Sequence, residues 1–197
     1  MTIEAYDNSS EMFVSYFAGI GTRTEDINTA IRLTEQDPAT ITAVEIGCGD
    51  GRDAVEIAKQ VGSYEGFDPS VNLLELARKK LPDTSFKIDD ALSYEYPHNV
   101  DLYFAFASIL HVNRTDLVTV FQKTGESLRA GGIFYISLKE RSDYDEQLQE
   151  DQFGKRMFYY YNPGLIEELA GTVFKKVFEA HQIIGSTDWF TIALRKQ

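Results

Sequence analysis

Between residues 42 and 139, short apolar-rich runs alternate with segments in which apolar positions recur every three or four residues. The first pattern reads as buried strand and the second as amphipathic helix. The predicted strands are 42–46, 64–67, 84–88, 100–106 and 133–138, and the predicted helices between them are 52–61, 71–81 and 117–128. The run V-D-L-Y-F-A-F at 100–106 is almost continuously apolar, as a central strand covered on both faces requires. Strands and helices alternating at this spacing predict βαβ crossovers and a parallel sheet.

The two ends of the chain follow other patterns. Residues 10–36 predict two helices. Met12, Phe13, Tyr16 and Phe17 form an apolar stripe on the first, Gly19 and Gly21 break it, and Ile27, Ile31 and Leu33 mark the buried side of the second. Residues 173–184 and 189–194 are β-rich and joined by G-S-T-D at 185–188, which predicts an antiparallel hairpin at one side of the sheet. Residues 139–152 are polar and acidic and read as a mobile loop beyond the C-terminal end of a strand, where open α/β sheets place their sites.

Composition narrows the picture. A chain of 197 residues with 43% hydrophobic and 25% charged residues has the proportions of one globular domain. Lys and Arg number 19 against 31 Asp and Glu, a formal net charge of −12, so the surface repels phosphate backbones and argues against a nucleic-acid partner. Cys48 is the single cysteine, which excludes an internal disulfide and a cysteine-based zinc cluster, and no metal motif is visible. The opening M-T-I-E lacks the basic and apolar regions of a secretory signal, and the longest apolar stretch, 102–110, is too short to span a bilayer. These features lead us to expect a soluble cytoplasmic protein with no membrane partner.

Candidate chemistry concentrates after the first three strands. V-E-I-G-C-G-D-G-R-D at 44–53 turns the first strand into a helix through Gly47, Gly49 and Gly51. Glycines at such a turn let the backbone approach a ligand, and free N–H groups there can meet polar atoms. The spacing is G-x-G-x-G, with Arg52 where a nicotinamide-dinucleotide fingerprint has its third glycine, which weakens the reading as an NAD oxidoreductase. G-F-D-P-S at 66–70 places Asp68 at the end of the second strand, where a carboxylate can accept both hydroxyl protons of a ribose. Asp89 and Asp90 follow the third strand and compete for contact with an adenine amino group.

Taken in order, these landmarks resemble the class I S-adenosylmethionine-dependent methyltransferases over residues 42–139. Residues 45–51 look like their glycine motif, Asp68 like their ribose acid and Asp90-Ala91 like their adenine contact. D-L-Y-F-A-F-A-S-I-L-H-V at 101–112 looks like their fourth-strand motif, and L-R-A-G-G at 128–132 like the loop before their fifth strand. G-R-D-A at 51–54, S-I-L-H-V at 108–112, S-L-K-E at 137–140, the aromatic run at 157–161 and W-F-T-I-A-L-R-K at 189–196 also resemble a group of small stand-alone bacterial and archaeal methyltransferases of unassigned substrate.

The resemblance implies an α/β, Rossmann-like three-layer sandwich. Its sheet would be mostly parallel and seven-stranded with an antiparallel C-terminal hairpin. Residues 1–38 would form a helical lid, and residues 139–161 an acceptor-side loop. It implies S-adenosylmethionine as cofactor, S-adenosylhomocysteine as product, and Glu45, Gly47, Cys48, Gly49, Gly51, Asp68, Pro69, Asp90, Ala91, Phe104, Ala105 and Phe106 around them. Cys48 otherwise reads as a small buried residue. His111 would lie near the sulfonium as a candidate general base, the ordinary alternative being a packed histidine at a helix start. Tyr16, Arg23, Lys139 and Tyr160 are candidates on the acceptor side, and Arg141 and Arg156 are further cations there. Methyl transfer to a small-molecule acceptor by in-line displacement is the expected activity. A protein-side-chain methyltransferase and a cofactor-binding relative without turnover are the rivals.

Overall fold

The computed structural model describes residues 1–197. Its strands are β1 (Thr42–Ile46), β2 (Ser63–Asp68), β3 (Ser85–Ile88), β4 (Val100–Phe106), β5 (Leu128–Lys139), β6 (Asp145–Asp151), β7 (Gly154–Tyr160), β8 (Phe174–Ile184) and β9 (Thr187–Lys196). Its helices are α1 (Thr2–Phe17), α2 (Thr24–Leu33), α3 (Ala54–Gln60), α4 (Val71–Lys80), α5 (Arg114–Ser127) and α6 (Pro163–Ala170). No helix is long and apolar enough to cross a membrane.

Seven strands form one sheet in the order β3-β2-β1-β4-β5-β9-β8. Pairing is parallel from β3 through β5, and β9 runs antiparallel between β5 and β8. All seven residues of β4 are buried, which explains their nearly unbroken apolar character. Alternation sends Tyr103 and Ala105 to one face, against Leu117, Val120 and Phe121 of α5 and Ile166 of α6. It sends Leu102, Phe104 and Phe106 to the other, against Ile27 and Ile31 of α2 and Ile57 of α3. The result is the three-layer sandwich the pattern implied.

Side-chain caps set three of the helix starts. Ser70 Oγ accepts from Leu73 N, Asn113 Oδ1 accepts from Thr115 and Asp116 N, and Asn162 Oδ1 accepts from Leu165 N beside Pro163.

Three segments differ from the sequence reading. Helix α1 begins at Thr2, not near residue 10, because its buried face is Ala5, Ser9 and Ser10 and carries no apolar periodicity. Residues 129–132, read as a loop, lie within β5, where the register against β4 jumps from Val100↔Leu128 to Leu102↔Ile133. The 139–161 loop is mostly a second sheet, the hairpin β6–β7, closed by the pair Asp151↔Gly154. A two-stranded ribbon buries little, so β6 remains polar and leaves no strand signal.

The side chain of Phe134 is fully buried between α5 and the sheet. Phe134→Ala is expected to lower stability by about 3–5 kcal/mol, and Asn113→Ala by about 1 kcal/mol, both read from urea unfolding midpoints.

Candidate active site

Strands β1 and β4 are neighbours, but the chain runs outward from β1 to β2 and β3 before returning to β4 and β5. Connections therefore leave the C-terminal ends of these two strands in opposite directions, and a crevice opens between them. Ser108 Oγ donates to Ile46 O at 2.6 Å and ties the two exit loops together. Gly47 turns there with φ +71°, and a Cβ on it would sit 2.3 Å from Ser108 Cβ. Only glycine permits that approach.

The N–H groups of the glycine loop are mostly engaged by the protein. Gly47 and Cys48 N donate to Phe67 O, Gly51 N donates to Cys48 O, and Gly49 N donates to Asp68 Oδ2 at 2.9 Å. The loop thus serves a ligand by leaving room rather than by offering these donors. Asp68, which also accepts from Ser70 N, is buried, and burial pushes its carboxyl up to about 6.

Beyond Gly47 lies a group of buried charges. Glu45 accepts from the Tyr64 hydroxyl at 2.5 Å, and burial, followed by the charge of Asp53, pushes its carboxyl up to about 8. Asp53 accepts from Arg23 N at 2.8 Å and from Arg52 Nη2 at 2.9 Å. The Arg23 guanidinium lies 5.3 Å from the Phe106 ring centroid, and its buried Nε makes no hydrogen bond but lies 3.8 Å from Asp53 Oδ2.

Helix α1 and hairpin β6–β7 close the crevice from above. Asp7 fastens α1 to the start of α4 by accepting from Ser70 Oγ at 2.6 Å and Asn72 N at 3.1 Å. Thr2 Oγ1 fastens its other end to the hairpin by accepting from Met157 N at 3.1 Å. Phe13, Tyr16, Phe17 and Phe153 pack as an aromatic cluster over the opening. The partly open cleft beneath them has a volume of about 1150 Å³ and runs from Asp68 and Asp90 past Glu45 and Phe106 to Lys139 and Arg156.

At the hairpin end, His111 sits among rings and carbonyls. Its Nδ1 lies 2.6 Å from Met157 O, a pure acceptor, so Nδ1 carries the proton and Nε2 accepts from the Tyr6 hydroxyl at 2.9 Å. Burial lowers its pKa to about 4. Arg156 is buried, with its guanidinium 5.3 Å from the rings of Tyr6, Phe153 and Phe158.

Most of the residues singled out in the sequence line this one cleft: Glu45, Gly47, Cys48, Gly49, Asp68, Pro69, Asp90, Ala91, Phe106, His111, Tyr16, Arg23 and Lys139. Four do not. Phe104 and Ala105 are fully enclosed in the core, and the lining passes instead to Phe106, Ala107 and Ser108 beyond the strand end. Gly51, at φ +74°, faces α4, where a Cβ would meet Ala77 Cβ at 3.1 Å, so its role is close packing. Tyr160 shares a strand face with Arg156 and Phe158 but lies beyond the cleft and binds Gln149.

His111 is inside the cleft with both nitrogens engaged, which does not match a free base. Arg23 lies beside Asp53 and Glu45, and its Nη1 reaches Ser137 Oγ on β5 at 3.4 Å, two residues before Lys139. Arg156, named in the sequence as a further acceptor-side cation, is buried in the cleft wall rather than solvated. The alternation of Arg156 with Phe158 and Tyr160 was the signal, and it needed the segment to be recognised as a strand.

Residues 43–132 match a family model described as a methyltransferase domain. Trans-aconitate 2-methyltransferase of Rhizobium etli is 31% identical over 100 residues, covering 50% of this chain and 38% of the relative. The enzyme of that name from Rhizobium rhizogenes is 28% identical over 148 residues, covering 72% and 57%. The chain therefore spans about half the length, or less, of these curated relatives.

Solved structures share the fold. 1,6-Didemethyltoxoflavin-N1-methyltransferase of Burkholderia thailandensis, with S-adenosylhomocysteine bound, superposes with a TM-score of 0.72 at 16% identity, over 98% of this chain and 87% of that one. An S-adenosylmethionine-dependent methyltransferase of Clostridium acetobutylicum gives 0.72 at 13% identity, over 96% and 98%. Residues 43–132 thus carry a match to a methyltransferase domain, and the fold is that of S-adenosylmethionine-dependent methyltransferases of known structure. The cofactor of that class is S-adenosylmethionine, and the cleft suits it: Gly47 leaves room beside Ser108, a Cβ at Gly49 would meet no atom within 4 Å, and the Asp68 carboxylate stands at the end of β2.

A carboxyl whose folded pKa exceeds its unfolded value keeps a proton that unfolding releases, so stability falls as pH rises between the two values. Glu45 spans 4.5 to about 8 and Asp68 spans 3.8 to about 6, while His111, lowered from 6.5 to about 4, acts in the opposite sense. Above pH 6.5 only Glu45 of these three still titrates. The urea midpoint of the wild type is expected to fall between pH 6.5 and 8, and that of Glu45→Gln to fall less over the same window.

Proposed function

We propose that the protein transfers the methyl group of S-adenosylmethionine to a small-molecule acceptor held beneath α1. The observation that carries this reading is the continuity of the cleft, which joins the glycine turn and Asp68 to an aromatic and cationic chamber roofed by α1 and β6–β7. Bound at the glycine turn, S-adenosylmethionine supplies a methyl group on a positively charged sulfur.

The chain's own residues divide the remaining work. The Asp68 carboxylate accepts the ribose hydroxyls, with Pro69 beside it, and Asp90 and Ala91 border the adenine. Gly47, Cys48 and Gly49 give the backbone its close approach. Glu45 and the Phe106–Ala107 backbone line the methionine end. Arg23, beside Asp53 and with no hydrogen bond at its buried Nε, is the cation nearest the glycine turn and partners the cofactor's carboxylate. Helix α1 and its aromatic cluster exclude water and hold the nucleophile in line, where orientation contributes most to such a displacement. His111 orients Tyr6 through the hydrogen bond it accepts.

A cleft of this size, partly roofed by α1 and the hairpin, suits a metabolite better than a protein segment or a nucleic acid. The names of the relatives, trans-aconitate 2-methyltransferase and 1,6-didemethyltoxoflavin-N1-methyltransferase, also support a small acceptor.

Calorimetric titration with S-adenosylhomocysteine tests the reading. The wild type is expected to bind it and Asp68→Ala about 100-fold more weakly, the loss of two charge-assisted hydrogen bonds. A thermal melt of the variant controls for folding. Binding of NAD in place of S-adenosylhomocysteine would overturn the assignment.

A further inference from the structure

One buried tyrosine touches the site from outside it. Glu45 lines the cleft and Tyr64 does not. Glu45 on β1 pairs with Gly66 on β2, and Tyr64 lies two residues before Gly66, on the same face of the sheet. The Tyr64 side chain therefore runs along β2 past Gly66, and its hydroxyl donates to Glu45 Oε2 at 2.5 Å.

Gly66 is what leaves the path open. A Cβ there would sit 2.7 Å from the Tyr64 hydroxyl and 2.8 Å from Cys48 Sγ. Its φ lies outside the left-handed region, so the backbone does not call for glycine and only the space does. The Tyr64 ring also packs edge-on against Phe86, with centroids 6.3 Å apart.

The two oxygens of Glu45 are thereby made unequal. Oε2 is taken from the β2 side by the Tyr64 proton, whereas Oε1 makes no hydrogen bond in the protein and is the oxygen left open to the cleft. Burial, followed by the charge of Glu45, raises the Tyr64 hydroxyl well above its usual range, so it stays a donor at working pH.

From this arrangement, and resting on the methyltransferase reading above, we infer that Tyr64 is a positioning residue for the cofactor. Donating through the gap at Gly66, it fixes the Glu45 carboxylate so that Oε1 receives the ammonium of the cofactor's amino-acid end.

A proton is coupled to that contact. Glu45 is surrounded by Asp53 and Asp68, which oppose its charge, by Arg52 and Arg23, which favour it, and by the Cys48 thiol. Its carboxyl, pushed up to about 8 by burial, must lose a proton to pair with an ammonium, and the Tyr64 hydrogen bond works in favour of that loss. Affinity therefore rises with pH toward 8, and without the hydroxyl the rise moves to higher pH.

The test is calorimetric titration between pH 6.5 and 8.5 with two probes. One is S-adenosylhomocysteine. The other is 5′-methylthioadenosine, which keeps the nucleoside and the thioether but has no amino-acid end. The wild type is expected to bind S-adenosylhomocysteine about tenfold more tightly at pH 8 than at pH 6.5. Tyr64→Phe should bind it about tenfold more weakly at neutral pH, with its profile displaced to higher pH and 5′-methylthioadenosine unaffected. Gly66→Ala, which keeps the hydroxyl but obstructs its path, should show the same selective loss. Glu45→Gln should be weak and flat across this range, and adding Tyr64→Phe to it should change nothing further.

An unaltered affinity and pH profile in Tyr64→Phe would overturn the inference. So would an equal loss of both probes, or a further loss on the Glu45→Gln background. Failure of the wild type to bind either probe would instead overturn the reading beneath it.

Discussion

The hydrogen bond from Ser108 to the Ile46 carbonyl, with the missing Cβ of Gly47 beside it, is the constraint on which the cleft depends. It forces the loops leaving β1 and β4 to pass within van der Waals contact just where the strand order reverses. The crevice is therefore fixed by two neighbouring strands of a rigid sheet rather than by mobile loops. Three carboxylates of the cofactor end hang from these loops or from the adjacent end of β2: Glu45 near the end of β1, Asp53 just past the glycines, and Asp68 tied to Gly49 N.

Charge is sorted within this small volume. The protein is acidic overall, and burial raises the carboxyls of Glu45 and Asp68 at the cofactor end. Lys139 on β5, with no carboxylate in ion-pair distance, and Arg156 on the hairpin, paired with Asp151, stand farther along the cleft. A ligand with a positive sulfur would find the acidic pole, and the intervening Phe106, Phe158 and α1 rings lower the dielectric between the two ends. Helix α1 reaches both poles, since Asp7 fastens it to α4 and Tyr6 and Thr2 fasten it to the hairpin and to His111.

Much of this was legible in the sequence, and the exceptions have physical causes. The buried strands β1, β2 and β4 and their helices declare themselves because both faces of the sheet are covered, so periodicity and apolar content agree. Glu45, Gly47, Asp68 and Asp90 were legible because a strand that ends in a turn puts its next residues into the crevice. Helix α1 was misread at its start because it packs through Ala5, Ser9 and Ser10, with Ala5 held against Gly154. Its large side chains line the cleft or face outward, as Tyr16 and Met12 do. The hairpin was missed because β6 stays polar and largely exposed, although β7 packs Phe158 and Tyr160 into the main core; Arg156 was named as an acceptor-side cation, but its burial was not foreseen. Phe104 and Ala105 were placed one step too early, since the crevice opens only after Phe106.

The central claim is that one cleft, held open by the Gly47–Ser108 contact, receives the cofactor at the glycine turn and leaves the Arg156–Lys139 wall for the acceptor. A crystal structure of the protein with S-adenosylhomocysteine tests it most directly. The account predicts the ribose on Asp68, the amino-acid end beside Arg23 and Glu45, and solvent between Arg156 and Lys139. A ligand whose carboxylate is seated on Arg156 and Lys139, or whose ribose does not touch Asp68, would contradict it.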